Sequence, residues 1–187
     1  MWTLNLCFIG YDLERRNGCL KLRRPLQTHL EEVERALEAK LYLAAVSLAL
    51  MLPDICATLE SAKAYSGNRE YKKWYRENLA SKFPKMSDEA AFSLRCGVVH
   101  QGNLVLKVAK QQMAARVVFT LPHRSVSLHN CVFGDMLQFD VQEFCHDIIS
   151  AVNDWYDRKQ ADPVVQGNLP NLVRFGRVVN FGVMALS

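Results

Sequence analysis

The sequence predicts a mainly α fold, a helical bundle of four to five helices carrying a small antiparallel β insertion. Three observations carry that prediction. Apolar residues recur at helical spacing through several stretches that open on a capping residue. The run 41–52, LYLAAVSLALML, is apolar on every side, as a helix at the centre of a bundle should be. Between residues 116 and 139 the pattern changes to β-branched and alternating residues with a Gly134-Asp135 turn. The chain has 187 residues and is 50% hydrophobic, enough to bury one substantial core. The expected organisation is an N-terminal extension over 1–27, a helical domain over 28–162 with its β insertion near 116–139, and a C-terminal tail over 163–187. A charged fraction of 22% is that of an ordinary globular chain, and the net charge of +4 permits an anionic partner.

Residues 1–27 mix a short apolar start, the turn-forming Asn17-Gly18 and a basic KLRRP ending at Pro25, compatible with a hairpin or a loosely attached tail. The basic residues of MWTLNLCFIGYDLERR follow the apolar stretch rather than precede it, so no secretory signal is read. Six cysteines (Cys7, Cys19, Cys56, Cys96, Cys131, Cys145) show no framework spacing and are expected as reduced thiols of a cytoplasmic protein.

Thr28-His29-Leu30-Glu31 fits a capping box opening the first helix. That helix is expected to run through 41–52, kink or restart at Pro53, and continue to about Tyr65. The apolar run is shorter than the ~20 residues a membrane span needs, so no membrane partner is expected. Asp54, beside the proline, is the carboxylate next to this long apolar run; it suits a cap for the restarted helix or a place in a site.

Ser66-Gly67-Asn68 reads as a turn, and REYKKWYRENLA as a third helix. Seven basic residues between Lys63 and Lys85 face only Glu70 and Glu77, and aromatic residues are interleaved. Lys72, Lys73 and Arg76 are therefore candidates to bind RNA phosphates. Tyr71, Trp74 and Tyr75 recur as the inward face of an amphipathic helix.

Ser87 is a natural N-cap for the next helix, with Asp88 and Glu89 in its first turn and Gly102 just past its end. Ala91, Phe92, Leu94, Val98 and Val99 form its apolar side, in which Arg95 and His100 are out of place. A half-buried guanidinium needs a partner, and histidine titrates near neutral pH. Arg95 can pair with Asp54 or Glu60, and His100 can cap the helix end.

LVLKVAKQQ can continue the helix, whereas ARVVFTLP, SVSLHNCVF and MLQFD read as two or three short antiparallel strands. Asp140 and Glu143 cap another long helix that buries Phe144, Ile148, Ile149, Val152, Trp155 and Tyr156, with Pro163 ending it. The tail is loop-like, with strands suggested in VRFGRVVNFGVMAL.

There is no Gly-rich phosphate loop, G-x-S-x-G elbow, H-E-x-x-H or paired C-x-x-C, so no cofactor and no metal are expected. Cys96 and His100, four apart, could hold a metal or form a thiolate pair but lack a third group, and a small buried cysteine accounts for Cys96. His129, Cys131, Cys145 and His146 could hold zinc only if the fold brought them together.

The segment from Arg95 to His100, R-C-G-V-V-H, is an R-x4-H motif, and here the chain resembles the HEPN superfamily of all-α ribonucleases. The same spacing occurs at Arg24/His29 and Arg124/His129, but only Arg95/His100 lies in a capped helix following others. The resemblance covers roughly 28–102 and the helix from 141. It implies a metal-independent endoribonuclease with RNA as substrate, in the setting of a toxin or phage-defence effector with an antitoxin or activator partner. His100 would move the proton of the attacking 2′-hydroxyl and Arg95 would hold the phosphate, with Cys96, Asp54 and Glu60 supporting them. In a regular helix five residues span ~500°, leaving the two side chains ~140° apart. Either the helix distorts near Gly97, or two protomers pair about a two-fold axis, and the resemblance implies the homodimer. Cys96 stands where the family usually carries Asn, Asp or His, and no tyrosine follows His100. Both departures also fit a non-catalytic HEPN-like module that binds RNA, a nucleotide or another protein.

Overall fold

The computed structural model describes residues 24–106, 116–123 and 125–173, together with the backbone of the strand pairs 12–16/19–23 and 176–179/183–186. The Asn17-Gly18 turn, the stretch 107–115 proposed to extend a helix, and Arg124 lie outside the described residues. The fold is mainly α: among the described residues, six helices and a three-stranded sheet surround one apolar core.

Strands β1 (Asp12–Arg16) and β2 (Cys19–Arg23) pair antiparallel ahead of the bundle. Helix α1 (Gln27–Glu38) begins one residue before Thr28, which leaves Thr28 inside the helix and no capping box. Gln27 instead donates its side-chain amide to Glu31 at 3.1 Å, and Glu31 and Glu32 pair with Arg35. The expected continuous first helix breaks at Lys40, whose φ of 57° is left-handed. Leu41 N–H donates to the Ala36 carbonyl and Lys40 N–H to that of Leu37, the paired bonds that close a helix end where glycine usually stands.

Helix α2 (Tyr42–Glu60) then passes straight through Pro53, so Asp54 is a mid-helix residue and caps nothing. Packing offsets the hydrogen bond that Pro53 cannot make: α2 buries residues on several sides, from Ala45 and Val46 to Cys56 and Leu59. It is the one helix among the described residues long and apolar enough to cross a membrane, and half of its most apolar stretch is buried in the bundle.

Helix α3 (Asn68–Asn78) starts at Gly67, whose N–H donates to the Glu70 carboxylate at 3.0 Å. Its Tyr71, Trp74 and Tyr75 face inward; Tyr75 donates its hydroxyl to the Met86 carbonyl at 2.9 Å, and Trp74 meets Trp155 edge-on. Helix α4 (Asp88–Cys96) opens on Ser87, whose Oγ accepts from Ala90 N–H at 3.1 Å.

Strands β3 (Arg116–Thr120), β4 (Cys131–Phe133) and β5 (Met136–Asp140) form the insertion in the order β3-β5-β4. The sheet is mixed: β4 and β5 are an antiparallel hairpin around Gly134 (φ 58°), but β3 runs parallel to β5. Phe139 of β5 and Phe119 of β3 pack with Phe83 and Phe144, which fastens the sheet to the helices.

Helix α5 (Val141–Lys159) follows directly, with the buried Asp140 carboxylate accepting from Gln142 and Glu143 N–H at 2.9 and 3.1 Å. Pro163 does not merely end this helix. It opens a further one, α6 (Pro163–Asn168), capped by Asp162 and followed by a 3-10 turn, Leu169–Asn171. Asn168 reaches back and donates to the Leu59 and Ser61 carbonyls at 3.0 and 2.9 Å, satisfying the open end of α2. The start of the tail is therefore part of the bundle; beyond it β6 (Gly176–Val179) and β7 (Val183–Leu186) pair antiparallel.

Asp140 carries the junction between sheet and α5. Asp140→Ala should lower unfolding stability by about 1 kcal/mol in urea titrations, and Asp140→Asn, which keeps the acceptor, should recover most of that loss.

Candidate functional site

The site grows out of the end of α4. After Cys96 the helix widens into a π turn, Gly97–Gln101, in which hydrogen bonds reach back five residues rather than four. The Gly97 carbonyl accepts from the N–H groups of both Gly102 and Asn103. Two glycines permit this. A Cβ on Gly97 would lie 2.7 Å from the Asn103 carbonyl oxygen, and Gly102 (φ 63°) supplies the left-handed stop.

The π turn changes which side chains stack. Arg95 and His100, about 140° apart on a regular helix, become neighbours one turn apart. Arg95 Nη1 lies 2.9 Å from His100 Nε2. The guanidinium only donates, so Nε2 accepts, and in this arrangement His100 is the neutral imidazole with its proton on Nδ1.

Asp54 on α2 forms an ion pair with Arg95 Nη2 and also accepts from the Ser66 hydroxyl at 3.2 Å. Three elements thus converge: the middle of α2, the turn before α3, and the end of α4. The guanidinium reaches over Cys96, with Nη1 3.9 Å from Sγ. Side-chain exposure rises outward, from 17% at Asp54 to 22% at Arg95, with His100 exposed. Burial pushes the Asp54 carboxyl up, and the Arg95 charge, the Ser66 hydroxyl and, last, His100 act against that rise.

No protein-family model, curated protein or solved structure matches this chain.

The other candidates fall elsewhere. Glu60 does not meet Arg95: it accepts from the Trp155 indole at 3.0 Å and pairs with Lys159 at 3.3 Å, joining α2 to α5. Six residues along one helix from Asp54, it faces another direction. Lys72, Lys73 and Arg76 do not form an unpaired basic track. Lys72 pairs with Glu89 (3.3 Å), Lys73 with Glu77 (3.5 Å) and Arg76 with Asp88, and the aromatics between them are buried.

His129 pairs with Asp147 at 3.1 Å, Cys131 donates to the His129 carbonyl, and burial pushes the Cys145 thiol up to about 12. Among the described residues no three or more His, Cys, Asp or Glu side chains converge on a metal position. Cys96 and His100 do not form a thiolate pair, because His100 Nε2 is taken up by Arg95. Ser66 reads in the sequence only as part of a turn, and nothing there marks it as a partner of Asp54. The spacing Gly97…Gly102 does carry a signal, since it brackets the one place where the helix can widen.

Gly97→Ala should cost about 1–3 kcal/mol of stability through overpacking against Asn103. It should also move the Gln101–Asn103 amides in a ¹H–¹⁵N spectrum while leaving those of α5 in place. The Asp54 shift has a definite sign. Because its folded pKa lies above the unfolded one, its favourable contribution is full at low pH and is lost as pH rises from the ordinary carboxylate value through the raised one. In Arg95→Met the largest opposing charge is gone. The Asp54 carboxyl resonance, followed by ¹³C titration, should then move still higher.

Proposed function

We propose that this chain is a metal-independent endoribonuclease that cleaves single-stranded RNA, with an HEPN-like arrangement of Arg95 and His100. The observation that carries this reading is the Arg95–His100 contact of 2.9 Å at an accessible end of the bundle, with a half-buried carboxylate behind the arginine.

A phosphate entering the site competes for the Arg95 amino groups, as a bidentate guanidinium site allows. Drawing Nη1 onto the phosphate frees the Nε2 lone pair of His100. The neutral imidazole can then take the proton of an adjacent 2′-hydroxyl, whose oxygen attacks phosphorus as the bond to the 5′-oxygen breaks. The products are a 2′,3′-cyclic phosphate and a 5′-hydroxyl end, the proton passing to the leaving oxygen. Arg95 offsets the charge gathering on the phosphoryl oxygens, while Asp54 and Ser66 hold the guanidinium in register. Cys96 supports the guanidinium as a weak acceptor.

A two-fold homodimer completes this scheme, because a second imidazole can donate to the leaving oxygen while the first accepts. Leu43 (74% exposed) and Met51 stand out from α2 on one helical row, Leu43-Ser47-Met51, that leads to Asp54. An isologous contact along that row would bring two Arg95/His100 pairs toward one groove. A cytoplasmic effector of toxin or phage-defence type, restrained by an antitoxin or activator, is the setting that goes with this activity.

A second reading has its own support: both terminal nitrogens of Arg95 are already engaged within the chain. A non-catalytic module that binds RNA, a nucleotide or a protein would keep that closed arrangement.

The deciding assay is incubation of purified protein with end-labelled single-stranded RNA in EDTA. The nuclease predicts cleavage to cyclic-phosphate ends and a fall of at least about 100-fold in both Arg95→Ala and His100→Ala. RNA retained uncut by a folded wild-type protein would instead establish the binding module.

A further inference from the structure

The π turn that brings Arg95 to His100 also brings the next two residues, Cys96 and Gln101, to one niche. These two line a niche of about 250 Å³ between α3 and the end of α4. We propose that this niche is a nucleobase subsite selecting adenine on the nucleotide whose phosphate Arg95 and His100 contact; its role in cleavage rests on the reading of that pair as the phosphate site.

The chemistry of the walls points to a neutral, flat, hydrogen-bonding ligand. Phe92 offers a partly exposed ring, fixed edge-on by Tyr71 with centroids 5.4 Å apart. Such a fixed aromatic face suits base stacking. The charged residues at the niche, Lys72 and Glu89, neutralise one another at 3.3 Å, so the niche is not built for a second phosphate.

Asn68 and Gln101 bring two carboxamides, each with donors and an acceptor. The Gln101 Oε1 accepts from Asn103 Nδ2 at 3.1 Å, which holds the amide in place and leaves its N–H donors and a second lone pair for a ligand. Adenine presents an acceptor, N7, beside a donor, the N6 amino group, and a carboxamide matches both at once. Every base offers a carboxamide one donor–acceptor pair on its Watson–Crick edge, but on the N7 edge guanine has two acceptors and the pyrimidines have no such pair, so through these two edges only adenine matches both Asn68 and Gln101.

Adjacency ties the niche to the phosphate site. Cys96 forms its wall and touches the Arg95 guanidinium, and Gln101 follows His100 directly. Phe92 lies one helical turn before Cys96 on the same wall, so a base on its ring stands beside the residue that the guanidinium touches.

The test is titration of the ¹⁵N-labelled full chain with each of the four nucleoside 3′-monophosphates, alongside cleavage of the four RNA homopolymers. Adenosine 3′-monophosphate should shift the amides of Phe92, Gly97 and Gln101 and bind at least about tenfold tighter than the uridine compound. Gln101→Ala, at an exposed position, and Phe92→Ala should each reduce that preference to about twofold, while His100→Ala should keep it. Equal binding of all four nucleotides, or shifts confined to residues outside the niche, would overturn the subsite even if every homopolymer is cut. Adenine preference in a chain that cuts none of them would uphold the subsite and remove the nuclease.

Discussion

A guanidinium held against a carboxylate in a half-buried position is the constraint on which this end of the bundle depends. Asp54 stands on the long apolar helix α2, where burial works against its charge. Arg95 compensates for that, and loss of either partner would leave the other charge without its counter-ion. The pair therefore fixes how α4 sits on α2, and with it the direction in which the end of α4 leaves the bundle. Ser66 adds a hydroxyl from the turn between α2 and α3, so one carboxylate gathers three separate pieces of chain.

Given that anchor, the π turn becomes useful rather than merely tolerated. One widened turn, permitted by Gly97 and stopped by Gly102, shifts the register of every residue beyond Cys96. His100 moves round to meet Arg95, and Gln101 comes to line the same niche as Cys96. The Arg95–His100 contact and the niche lined by Cys96 and Gln101 then lie side by side on one short segment. Widened helical turns cost stability, and they recur where function needs a side chain in an otherwise inaccessible register.

The remainder of the molecule keeps that segment rigid from behind. Trp74 and Trp155 lock α3 to α5, and the phenylalanine cluster joins the small sheet to the same core. Asn168 ties α6 to the last carbonyls of α2. Glu60 serves the same purpose, bridging α2 to Trp155 and Lys159. Three basic residues of α3 are drawn into ion pairs with neighbouring carboxylates, Lys72 and Arg76 with α4 and Lys73 within its own helix.

The sequence by itself determined the mainly α class, the caps at Ser87 and Asp140, the stop at Gly102, the inward face of α3 and the interest of Arg95 and His100. Each of these is a local matter of spacing, capping chemistry or a residue out of keeping with its surroundings. Only the tertiary structure decided that the first helix breaks at Lys40 and runs through Pro53, because packing outweighed the propensity of both residues. It also decided that β3 lies parallel to β5 and that Pro163 opens a helix instead of ending one. Between Asp54 and Glu60, two carboxylates on one helix, local pattern offers no choice; the rotation of α2 against α4 made it. The meeting of Arg95 with His100 followed from a backbone hydrogen bond displaced by one residue, which Gly97 permits but only the approach of Asn103 enforces.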